Sequence, residues 1–143
     1  MSTDGHHAGL PPEFAEMLAE IQPAGGFGHR DHVHLAFLAV RRYGTTEAAE
    51  RIGGWLRHLT AYAGAPQKYN ATVTWAWTEI VGHHLADGED SRAGDFDAFV
   101  AGHPRLLDKR LLIRHYSPAV LASARARSSW VEPDLVPFPW RQL

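Results

Sequence analysis

No cysteine occurs anywhere in the 143 residues. That absence excludes disulfides and every zinc or iron–sulfur site built on thiolates. It fits a cytoplasmic location, which is the expectation adopted. Strong charge of one sign is missing too. The formal net charge is −2, which offers no general attraction to nucleic acid. No apolar run reaches the length of a membrane span. The opening "MSTDGHHAGL" has neither a basic nor an apolar leader region, so no signal peptide is expected and residues 1–10 are read as disordered. Nothing reads as a paired strand, and no repeat or low-complexity segment occurs.

What is present is ordinary in bulk. The hydrophobic and charged fractions are 45% and 21%, typical of globular chains. The length suits one domain, residues 1–143, with a single real core. The ten histidines are less ordinary and are the one compositional hint of chemistry.

The punctuation is helical. Residues 12–21, behind Pro11 and Pro12, place Phe14, Met17, Leu18 and Ile21 on one stripe. A second helix runs from Gly28 or Asp31 to Tyr43 and stops at Gly44. Thr45 or Thr46 caps a third, whose buried stripe is Ile52, Trp55, Leu56, Leu59 and Tyr62 and which ends at Gly64. Its paired Gly53 and Gly54 would let another helix approach. A fourth helix spans roughly 71–87, followed by a polar loop at 89–94. Asp95 caps a short fifth, and "PRLLDKRLLIRHY" contributes a helical turn or two. Ser117-Pro118 opens a last helix running to about Arg127. The tail, residues 128–143, has too many prolines for a helix and too many aromatics for a solvated end, so it should lie across the body. The fold class is all-α: a compact bundle of five to seven helices with an extended Pro/aromatic C-terminal tail packed on it.

The segment "KYNATVTWAWTEIVGHH" (68–84) is neither charged like a surface helix nor aliphatic like a core one. On a helix, Thr72, Ala76, Glu79 and His83 share a face beside Trp75, while Val73, Trp77, Ile80 and Val81 form a core stripe. A second cluster, "HRDHVH", sets His29 and His32 three apart at a helix start, with the small Ala36 and Ala39 and then Tyr43 below His32. His34 is read as surface, and His6, His7, His58 and His103 carry no motif. Lys68-Tyr69 precedes the fourth helix, where a substrate carboxylate could meet free N–H groups. His115-Tyr116 is a third polar–aromatic patch. Lys109, Arg110 and Arg114 read as a solvated face. Asn70-Ala71-Thr72 matches a glycosylation sequon by chance.

Three chemistries are compatible with these residues. In the first, which needs no cofactor, Glu79 sits among tryptophans with a raised pKa and acts as acid or base. His29 or His32 partners it, tryptophan faces hold a small aromatic molecule, and Tyr69, Thr72 and Thr74 orient it. In the second, His29, His32, Glu79 and His83 hold one transition-metal ion between facing helices. The third is a non-catalytic module binding a small ligand or a protein, marked by a pocket without a titratable group. A homodimer is compatible with each, and the tail could cover the neighbouring protomer's pocket.

"FGHRDHVHLAFLAVRRYG", "APQKYNATVTWAWTEIV", "FDAFVAGHPRLLD" and "HYSPAVLASARARSSWVEPDL" together resemble a family of small all-helical bacterial proteins, mostly of unassigned function. The likeness covers roughly residues 27–135. The resemblance implies natural-product biosynthesis and a Pictet–Spengler-type condensation of a tryptophan-like amine with an aldehyde. It would make Glu79 the base, His29 or His32 the acid, Tyr69 a further catalytic group and Trp75 a wall. Lys68 would hold the substrate carboxylate. Thr72, His83 and Tyr116 are read from the residues themselves as further substrate-binding groups. The chain departs from the family pattern at Asn70, where relatives often carry histidine, and at His115, where they often carry tyrosine. Those departures put the substrate and one catalytic group in question.

Overall fold

A computed structural model describes residues 11–23, 27–62, 64–87 and 95–141. The expected disorder of residues 1–10, with His6 and His7, and the polar loop at 89–94 lie outside them, as does the Tyr62 side chain. The described residues are helical with no strand. They form α1 (Pro12–Ile21), α2 (His29–Tyr43), α3 (Thr45–Tyr62), α4 (Ala71–Asp87), α5 (Phe96–Gly102), α6 (Pro118–Leu121) and α7 (Ala124–Ser128), with 3-10 turns at Pro66–Lys68, Pro104–Leu107, Lys109–Arg114 and Pro139–Arg141. None of the described helices is long and apolar enough to cross a membrane.

The helix starts follow local chemistry. Gly28 caps α2, and its N–H donates to Asp31 Oδ2 at 3.0 Å. Asn70 caps α4 by accepting from Val73 N at 3.0 Å, and its amide donates to Leu121 O at 2.8 Å. Asp95 caps α5 through Ala98 N at 2.9 Å. Gly44 closes α2 with φ +86, a backbone that favours glycine.

One expected helix is split. The stretch after Ser117 breaks after Leu121, because Ser123 caps a new turn: its Oγ accepts from Ala126 N at 3.2 Å and donates to Val120 O at 2.6 Å. The tail also holds one 3-10 turn, Pro139–Arg141, where none was expected.

α4 is the central element and packs against α2, α3 and α7. Thr72, Thr74, Ala76, Trp77, Thr78, Ile80, Val81, Gly82 and Leu85 are all buried, so apolar and small residues surround most of its circumference. This accounts for the odd composition of residues 68–84. A helix buried over most of its surface carries little charge, and its buried hydroxyls need partners. Thr78 donates to Thr74 O at 2.9 Å. The small residues of α2, Ala36 and Ala39, are buried against neighbouring helices. Gly82 marks the tightest approach: a Cβ there would collide with Thr45 at the start of α3. Gly53, singled out from sequence, admits the Tyr69 hydroxyl rather than a helix, 3.1 Å from where its Cβ would stand.

Candidate functional site

The C-terminal segment is fastened to the bundle residue by residue. Thr72 Oγ1 donates to Ser129 O at 2.7 Å and accepts from Val131 N at 3.1 Å. Tyr116 Oη donates to Val131 O at 2.6 Å. Ser117 N donates to Asp134 Oδ1 at 2.8 Å, and Leu135 N to His115 O at 2.9 Å. Phe138 is fully buried. Trp140 stacks on Phe138 at 4.9 Å and on His83 at 4.5 Å.

Glu79 is the hub of this closure. Its carboxylate accepts from Trp75 Nε1 at 2.7 Å, Trp140 Nε1 at 2.8 Å and Arg141 Nε at 2.8 Å, and also from Arg141 Nη2. Burial alone would raise its pKa, but the Arg141, Trp140 and Trp75 hydrogen bonds outweigh it and hold the carboxyl below its ordinary value. The raised pKa expected for Glu79 is therefore corrected. The tryptophans around it donate hydrogen bonds instead of merely excluding water, and an arginine 62 positions later neutralises it. A carboxylate bonded in this way ties the tail to α4 and is favoured in its charged form.

The other anticipated residues divide. His29 donates Nε2–H to Leu106 O at 2.9 Å and packs edge-on against Trp77 at 4.5 Å. Burial lowers its pKa. His32 is enclosed beside Phe27 and lowered to about 4, chiefly by burial, so it is neutral near pH 7. Both rings are packed, and burial disfavours their charged forms. Tyr116 is buried, its phenol pushed upward chiefly by burial and committed to Val131. Thr72 bonds the tail twice, at Ser129 and Val131. Lys68 is exposed at the end of a 3-10 turn, and Tyr69 is half-buried over Gly53 with Arg57 against its ring. Trp75 is half-buried and bound to Glu79. His34 is half-buried: its ring stacks on Phe96 at 4.1 Å, and burial lowers its pKa.

His29, His32, Glu79 and His83 do not converge as metal ligands. Among the described residues, no three histidine, aspartate or glutamate side chains do so.

A different group of histidines does share one space. A cleft of about 480 Å³ opens between the C-terminal half of α4, the segment 102–106 and the tail. His83, His84, His103, His115 and Arg105 line it, with Ile80, Leu106, Leu111, Pro104, Pro139 and Trp140 as largely apolar walls. The rings of His84 and His103 lie 5.0 Å apart, and those of His83 and His84 5.4 Å. His84 donates Nδ1–H to Ile80 O at 2.8 Å, and His115 donates Nδ1–H to Val136 O at 2.7 Å. Because a carbonyl can only accept, these contacts fix the neutral tautomer in both rings and leave Nε2 as the lone-pair nitrogen. His29 supports this wall from behind through Leu106.

Of the anticipated residues, His83 lines this cleft, as does His115 of the His115-Tyr116 patch, while Glu79 bonds the wall residue Trp140. The histidine count was the available signal, but His84, His103 and His115 lie on three separate elements that only the fold brings together. Arg105 had no signal at all.

No protein-family model, curated protein or solved structure matches the chain.

Proposed function

We propose that this chain is a small-molecule enzyme that works by acid–base catalysis in the histidine cleft. The observation that carries the reading is the pair His84 and His115. Each has Nδ1 locked to a backbone carbonyl, so each presents Nε2 as a preorganised proton acceptor or, once charged, a donor. Imidazole is the side chain whose ordinary titration lies nearest neutral pH. The cleft volume falls within the roughly 300–1,000 Å³ usual for small-molecule sites, and apolar walls with a few polar groups are their usual lining. A pure binding module was expected to show a pocket without titratable groups, and four imidazoles favour catalysis instead.

The condensation implied by the family resemblance suits this chemistry with the roles moved. The substrate's amine and the aldehyde form an imine with loss of water. Protonation gives the iminium, the indole carbon attacks it, and a base removes one proton to restore the aromatic ring. His84 and His115 would handle these protons in place of Glu79 and His29. Alternation between acid and base is what two imidazoles lining one cleft can supply. The sequence's departure at His115 then places an imidazole in the cleft instead of a phenol.

The test is turnover of a panel of indole amines and aldehydes, followed by product mass and chirality. The reading expects condensation that falls at least about 100-fold in His84→Gln and His115→Gln. Wild-type rates in both variants would sink it.

A further inference from the structure

Resting on the cleft reading above, we infer that its ligand is an organic anion, a carboxylate or phosphate on an apolar body, with Arg105 receiving the charge. The polar lining is one-sided: Arg105 and four imidazoles, and no aspartate or glutamate. Two carboxylates close by, Asp108 and Glu79, are already committed. Asp108 accepts from Arg110 Nε at 3.0 Å, from its Nη2 at 3.1 Å and from its backbone N at 3.0 Å. Glu79, on the far side of Trp140, is filled by Trp75, Trp140 and Arg141. Arg105 has no ion pair or side-chain hydrogen bond among the described residues. A guanidinium at the mouth of a partly apolar cleft is an unfilled fork for a planar or tetrahedral oxyanion.

The remaining walls decide between a bare ion and an organic one. Ile80, Leu106, Leu111 and the two prolines offer apolar surface that an inorganic ion would leave wet and a hydrocarbon body would cover. Arg105 and His103 belong to one short segment, and the His103 ring lies 5.0 Å from that of His84. The anion-binding end and the proton-transferring end of the cleft are therefore neighbours. A ligand anchored by its charge would lay its body along the apolar walls towards His115.

The experiment titrates the intact chain with 2-naphthoate, 2-naphthyl phosphate, 2-naphthamide and inorganic phosphate while following the imidazole ring signals by NMR. The two organic anions should move the His84, His103 and His115 signals and saturate. The neutral amide and inorganic phosphate should bind at least ten-fold more weakly, and the stronger of the two anions identifies the head group. Arg105→Gln, at an exposed position, should weaken the anions at least ten-fold and leave the amide unchanged, while Arg114→Gln should change neither. Equal binding of amide and carboxylate, or an Arg105→Gln variant with undiminished anion affinity, would overturn the inference. Saturable anion binding with no turnover of any substrate would uphold it while removing the catalytic reading. Turnover of an anionic substrate by Arg105→Gln with undiminished kcat/KM would do the reverse.

Discussion

Arg141 pairs through Nε and Nη2 with both oxygens of Glu79, joining the C-terminal segment to the central helix by a two-point contact. The same guanidinium lies 4.3 Å over the Trp130 ring, so one side chain ties together both ends of the tail and α4. This contact holds Glu79 beside Trp140, whose Nε1 donates to it and whose ring lines the cleft.

Removing either partner should loosen the tail. Arg141→Ala and Glu79→Gln are each expected to cost about 1–3 kcal/mol, because each leaves a partly buried group without its partner. The double variant should cost clearly less than the two single losses combined. Urea denaturation of all four proteins gives the coupling, and full additivity would count against the pairing.

Thr72 should behave as a brace. Thr72→Val keeps the shape but loses the bond to Ser129 O and leaves Val131 N unpaired, at an expected cost of about 1–3 kcal/mol. Thr72→Ser, which retains the hydroxyl, should recover most of it. Equal stabilities of the valine variant and wild type would show that the brace is idle.

The helices were legible because their limits are local. Gly28, Asn70, Asp95 and Ser117 act on neighbours a few residues away, and pattern and cap coincide at each. The split at Ser123 was missed because a second serine cap inside a periodic stretch looks like an ordinary helical serine. The site was harder for a physical reason. Glu79 looked like a base because its helix neighbours are tryptophans, while the residue that fixes its charge, Arg141, lies in a segment without periodicity. The spacing of His29 and His32 does not reveal that their rings pack against Trp77 and Phe27. The cleft histidines come from α4, from the end of α5 and from the segment before α6, and no spacing rule links those positions.

Acid should destabilise the protein through His32. Its pKa is about 4 when folded against an ordinary 6.5. Above pH 6.5 it is neutral in both states and costs nothing. As the pH falls from 6.5 towards 4, the unfolded chain takes up a proton that the folded chain resists, and up to about 3 kcal/mol of stability is lost. His29, also lowered, acts in the same direction. Glu79 adds a further loss at lower pH, as its depressed folded pKa is crossed. Thermal melts between pH 7 and 4 should fall less steeply for His32→Gln, and an unchanged slope would contradict the assignment.

Gly82 should not tolerate a side chain. In Gly82→Ala the new methyl meets Thr45, with Thr45 Cγ2 at 2.9 Å, and overpacking of this kind costs about 1–3 kcal/mol. Adding Thr45→Ala should restore part of the loss. A Gly82→Ala variant as stable as wild type would mean that the contact between α4 and α3 is looser than described.

The most direct test of the account compares Glu79→Gln with His84→Gln and His115→Gln for condensation of indole amines with aldehydes, after confirming that each variant is folded. The account predicts that Glu79→Gln keeps at least about a third of the wild-type rate, while each histidine variant falls at least about 100-fold. Abolition of turnover by Glu79→Gln alone, with both histidine variants at full rate, would return the catalytic role to Glu79 and contradict the cleft as the site.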